Sequence, residues 1–145
     1  MDFLSAMRIS GTGLAAQRTR MNSISSNIAN AEVTRTPEGG PYRPKEVVFG
    51  SEPDREPFGV VLDGELQNAA QQVHAIEVNS SNRPPKLVYN PHHPDAGPDG
   101  MVAMPDINVM KEMADMIQAT RSYEANVTAL NAAKQMALKA LSIGK

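Results

Sequence analysis

Two stretches of the chain repeat their apolar residues at helical spacing, and the stretch between them does not. Near the start, Leu4, Met7, Leu14, Met21, Ile24, Ile28 and Ala31 recur at gaps of three, four or seven. That is one stripe of an α-helix, and it predicts a helix of about 28 residues, roughly 40 Å long. Toward the end, Val109, Met113, Met116, Thr120, Tyr123, Val127, Leu130, Lys134, Ala137 and Leu141 follow a 4-3 alternation. Only Thr120 and Lys134 break its apolar character, which is the a/d pattern of a coiled coil. This second helix should run for roughly 50 Å. The middle holds short β-prone runs at Glu46–Phe49, Phe58–Leu62, Val73–Val78 and Lys86–Tyr89, separated by Gly and Pro clusters. The stretch from Glu65 to Gln72 is polar and fits no element clearly.

Proline sharpens this division. All 11 prolines fall between Pro37 and Pro105. A proline inside a helix costs about 3 kcal/mol, so their absence elsewhere leaves both ends free to be helical. The organisation expected is an N-terminal helix over 1–31, a loop-rich β module over 32–105 and a C-terminal helix over 106–145. Pro105 near its start and Gly144 near its end punctuate the last helix. Gly11 and Gly13 interrupt the first, marking either a fray point or a close approach to a neighbouring helix. The fold class is thus mainly α with a small β module, its long terminal helices packing as a coiled-coil-like pair. A small proline-rich middle does not cover two such stripes. They must pack on each other or on other copies.

Charge follows the same boundaries. The first segment sets Arg8, Arg18 and Arg20 against Asp2, the middle is acidic, and the last segment is nearly balanced. The net charge of −2 gives no footprint for nucleic acid. Cysteine is absent, which excludes thiolate catalysis, disulfides and Cys-type zinc sites. Aromatics make up 4% of the chain with no Trp, thin for an enzyme core of this length. No apolar run reaches the ~20 residues that span a bilayer, and no cleavable signal peptide is visible at the start.

Candidate chemistry is sparse. His92, His93, Asp95 and Asp99 lie within a few residues of one another, but adjacent residues of an extended chain point to opposite sides. With Pro91 and Pro94 between them, the segment reads as a rigid turn-rich loop. Met113 and Met116 sit on the helical stripe as adaptable apolar filler rather than as copper ligands. No nucleophile elbow, phosphate loop or calcium loop occurs, so no catalytic residue, metal site or cofactor is expected. From the residues alone, a secreted helical assembly protein and a small metal-dependent hydrolase using those His and Asp residues both stay open.

Three motifs narrow the choice. Ser26–Ala31 with Thr34–Tyr42, the loop Tyr89–Ala96, and Arg121–Val127 with the closing Leu141–Lys145 together resemble the flagellar rod and hook axial proteins, in their short proximal-rod form. The match runs in order over nearly the whole chain. It places family-motif residues at Asn27, Asn30, Pro91, His92, Pro94, Tyr123, Glu124 and Asn126. Met101 stands where an aromatic is expected in the family, and Asp106 where Asn is commoner; both fall in a loop or where the last helix begins. The resemblance implies a structural subunit rather than an enzyme, with both terminal helices in an axial tube that serves as drive shaft and export channel. The packing residues would be Leu4, Met7, Leu14, Met21, Ile24 and Ile28 on one helix. Met113, Met116, Tyr123, Val127, Leu130 and Leu141 would serve on the other. Its partners would be further copies, other rod proteins and the membrane-ring adaptor. It would be exported uncleaved by the flagellar type III apparatus and assemble in the periplasmic space.

Overall fold

A computed structural model describes residues 3–53 and 71–143. Helix α1 (Phe3–Ala29) is followed by strands β1 (Lys45–Pro53), β2 (Gln71–Ser80), β3 (Lys86–Tyr89) and β4 (Met101–Met104), then by helix α2 (Val109–Ile143). The β-prone run Phe58–Leu62 and the capping Gly144 lie outside the described residues. Of the ambiguous polar stretch, Gln71 and Gln72 begin β2. Met101 and its neighbours, expected as loop, instead form β4. Four residues with two methionines carry little β signal, and pairing with β3 decides their conformation.

Helix α1 ends where the Asn30 side chain turns back to the Ser26 carbonyl at 2.7 Å. The chain then closes a loop in which Tyr42 N–H reaches the Val33 carbonyl at 3.1 Å. Gly39 and Gly40, at φ of 91° and 80°, make the reversal at its tip, a conformation that residues with a Cβ rarely adopt. Helix α2 begins at Asn108, whose side-chain oxygen accepts the Lys111 N–H at 3.2 Å as an N-cap.

The helices run antiparallel. Gly13 faces Asn126, Met21 faces Thr120, Arg20 pairs with Asp115 and Asn27 meets Glu112, so partners descend along α2 as they ascend along α1. The contact is narrow and built from small residues: Ala16 and Ile24 are buried on α1, Ala119 and Ala133 on α2. This face is not quite the apolar stripe of the sequence. Both contain the row Met116, Tyr123, Leu130 and Ala137, all half-buried. The second row within the chain is Glu112, Ala119, Asn126 and Ala133, whereas the stripe continues through Met113, Thr120, Val127, Lys134 and Leu141. At about 100° per residue the two faces differ by a rotation of about 50°. Small side chains let the backbones approach, and bulk is left to the side.

Strands β1 and β2 pair antiparallel and pack on α1, with a bulge at Ile76 between the pairs Val48–Glu77 and Phe49–Ala75. A Cβ at Gly50 would overlap the Ile76 side chain, which is 65% exposed and would have to swing aside. Strands β3 and β4 form a second antiparallel pair, in which Val102 is fully buried.

Candidate assembly interface

The most buried polar residue among those described is Asn27, only 3% exposed near the end of α1. Its amide nitrogen donates to the Lys45 carbonyl at 3.0 Å and to the Glu112 carboxylate at 3.3 Å. Its oxygen accepts the Lys45 N–H at 2.8 Å and the Tyr42 hydroxyl at 3.2 Å. The Tyr42 proton is thereby committed, so Ser26 donates its own hydroxyl to the Tyr42 oxygen at 3.0 Å. All four hydrogen-bonding positions of the amide are used. One side chain ties α1 to the start of β1, to the 33–42 loop and to α2. Beside it lies an open cleft of about 430 Å³, lined by both signs of charge from Arg20, Lys45, Lys111, Glu46, Glu112 and Asp115.

The Pro-His-His-Pro loop forms a second tie. Asp95 accepts the Thr34 hydroxyl at 2.7 Å and faces the Arg35 guanidinium at 3.6 Å, which fastens the β3–β4 loop to the segment after α1. His93 Nδ1 accepts the Asp95 N–H at 3.1 Å, so this imidazole holds the turn. Pro91, His92 and Pro94 are exposed. Gly100 has φ of 69°, and a Cβ there would press on the Tyr89 ring at 2.9 Å. Among the described residues no group of three His, Asp or Glu side chains converges to hold a metal ion.

The remaining motif residues lie along the helix pair. Asn126 is half-buried, donates to the Ser122 carbonyl at 3.0 Å and would sit 3.3 Å from a Cβ at Gly13. Of the two readings of the glycine pair, close approach applies at Gly13, whereas Gly11 faces open space. Tyr123 is half-buried and Glu124 exposed. Of the stripe on α1, Ile24 is buried and Met7, Leu14, Met21 and Ile28 are half-buried; Leu4 belongs to α1, but its side chain is outside the description. On α2, Met116, Val127 and Leu130 are half-buried.

Apart from Tyr123 and the half-buried Ala137, the rest of the α2 stripe faces solvent. Met113 is 50% exposed and Leu141 72%, with Val109, Met110 and Ile117 exposed beside the first and Met136 and Leu138 beside the second. Apolar side chains thus stand in solvent at both ends of a helix whose other face is occupied by α1. Sequence reading missed the roles of Tyr42, Lys45 and Thr34, because partners far apart in the chain leave no periodic trace, and it missed the Asn108 cap although an Asn just before a helix is a local signal.

A long antiparallel helix pair, a small β module fastened to it and a solvent-facing apolar stripe define an assembly subunit. Two family models agree. Residues 7–35 match the flagella basal body rod protein family, and residues 99–143 match the flagellar basal body rod FlgEFG protein C-terminal family. The flagellar basal-body rod protein FlgC of Borreliella burgdorferi is 40% identical, covering 99% of this chain and 98% of its own. Those of Bacillus subtilis and Salmonella typhimurium are each 41% identical, with 100% of both chains covered. The chain belongs to the FlgC family of flagellar basal-body rod proteins. It is a structural subunit of the basal body of the flagellum, and its role is assembly rather than catalysis.

Proposed function

We propose that this subunit builds the proximal rod by setting its helix pair into an axial tube, where α2 packs against its own α1 and against a neighbouring helix. The observation that carries this reading is the two faces of α2. One is built from Ala119, Asn126 and Ala133 and filled within the chain; the other exposes Met113 and Leu141 at its two ends. A helix with two adjoining seams is suited to an array, because each seam buries apolar surface worth about 25 cal/mol per Å² only when its own neighbour is present. The β module, fastened by Asn27 and Asp95, would lie outside that tube. Neighbours would be further copies, other rod proteins and the membrane-ring adaptor. The chain would reach the periplasmic space uncleaved, through the flagellar type III apparatus.

Met113→Asp tests the reading. The side chain is half in solvent, so the purified variant should keep its helix content, measured by circular dichroism. In cells it should be exported in normal amount yet give no motility. Normal swimming would remove the second seam from assembly, and failed export would assign the face to the secretion machinery instead.

A further inference from the structure

Three carboxylates stand on α2, and two of them face α1: Glu112 meets the Asn27 amide at 3.3 Å and Asp115 meets Arg20 at 3.6 Å. The third, Glu124, is exposed, and its carboxylate has no partner among the described residues. It shares one side of the helix with Met113 and Ile117, 50% and 56% exposed, because steps of four and seven residues return to within about 40°. An unpaired acid thus stands beside exposed apolar groups on the side of α2 turned away from α1.

Its complement lies elsewhere on the same subunit. The cleft beside Asn27 carries four cationic side chains, Arg20, Lys45, Arg83 and Lys111, against three carboxylates. Arg20 is held by Asp115 and Arg83 by Glu46 at 2.9 Å, whereas the Lys45 and Lys111 ammonium groups have no ion pair among the described residues. Ser23 lines the same cleft at 7% exposure, and its hydroxyl has no hydrogen-bonding partner among those residues either. A buried donor left open beside two free cations is satisfied by a carboxylate. Lys111 lies about 160° round α2 from Met113, so acid and cleft are separate faces of one subunit.

We infer that Glu124 of one copy enters this cleft on the next, with Lys45 and Lys111 as its cationic partners and the Ser23 hydroxyl as a further donor. Two unlike faces joined in this way make a head-to-tail contact that propagates from copy to copy. Glu124 stands 13 residues beyond Lys111 on α2, so with their helices aligned each copy is displaced about 20 Å along the axis from the last. Such a stagger builds a helix rather than a flat ring. The inference rests on the outer side of α2 being an assembly surface, and the test separates the two.

Cells carry Glu124→Lys alone, Lys45→Glu with Lys111→Glu, or all three changes together. All three positions are exposed, so the purified variants should keep their helix content by circular dichroism. Each of the first two should lower the motile fraction roughly tenfold by setting like charges face to face, and the full exchange should restore it to within about threefold of the parent. In parallel, Glu124→Cys and Lys111→Cys are combined in this otherwise cysteine-free chain. A short bis-maleimide should then join copies into multimers in isolated basal bodies. Normal motility of Glu124→Lys beside a non-motile Met113→Asp would overturn this contact and leave the second seam standing. Normal motility of both would overturn the seam as well. Lost motility with neither rescue nor cross-link would assign the acid and the cleft to other rod proteins, which overturns the contact between copies. Loss of helix in Glu124→Lys would also overturn it, since the charge would then be holding the fold.

Discussion

Asn27 concentrates more of the fold than any other side chain described here. Its removal leaves the Lys45 N–H and carbonyl without their side-chain partner in a part-buried place, and leaves the Tyr42 hydroxyl with Ser26 alone. Each such group costs about 1–3 kcal/mol, and some will find water, so Asn27→Ala should destabilise the protein by about 2–4 kcal/mol in denaturant titration. The glycines of α1 give a contrast at the same scale. Gly11→Ala meets nothing within 4 Å and should stabilise by about 0.5–1 kcal/mol through helix propensity alone. Gly13→Ala gains the same propensity but needs Asn126 to move, since its Cβ would stand 3.3 Å from the Asn126 amide. It should therefore fall short of Gly11→Ala, and Gly13→Leu should part the helices outright. His92 and His93 belong to a structural turn. Purified protein should hold no stoichiometric zinc or copper, and metal that disappeared in the His92→Ala, His93→Ala variant would contradict that role.

Between α1 and α2 the contact uses small residues, and this shapes what substitutions along α2 should do. Leu130 is half-buried in the row shared by both faces, whereas Ala132 is exposed. Leu130→Asp removes an apolar group worth about 1.5–3 kcal/mol and places a charge against α1, so it should abolish both helix pairing and rod assembly. Ala132→Asp should be milder. Motility measured beside the amount of exported subunit distinguishes them, because under the proposed route export of an unfolded chain would ask nothing of the seam. Normal motility in Leu130→Asp would place the contact elsewhere. The ion pair between the helices Arg20–Asp115, at 3.6 Å with both partners about a third exposed, contributes at most about 1 kcal/mol and does not set the pairing.

Taken whole, the subunit buries little. Ala16, Ile24, Val102, Ala119 and Ala133 are the buried hydrophobic residues among those described, and four of the five lie between two helices more than 25 residues long. Alanine brings backbones together but removes little apolar area from water, so the pair alone is marginal against the entropy of ordering it. Amide hydrogen exchange on dilute subunit should show weak protection along most of α1 and α2. Strong protection there at low concentration would mean that the chain stabilises its helices without neighbours. Such marginal arms suit a subunit whose helices gain order only where neighbours cover them.

Proline placement and the three-four spacing of apolar residues determined both helices, because each signal is local: a proline forbids a helix where it stands, and a stripe repeats every turn. The strands β1, β2 and β3 were legible for the same reason, whereas β4 was not, being set by its partner rather than by its own residues. The same limit governed the interface. Spacing placed an apolar stripe on α2 but could not tell which side of it α1 would take, since bulky side chains dominate such a pattern and the contact is made by Ala119, Asn126, Ala133 and Gly13. The meeting of Asn27 with Tyr42, Lys45 and Glu112, and of Asp95 with Thr34, was decided by tertiary structure alone. Those partners lie 15 to 85 residues apart, and only the folded backbone brings them within hydrogen-bonding distance.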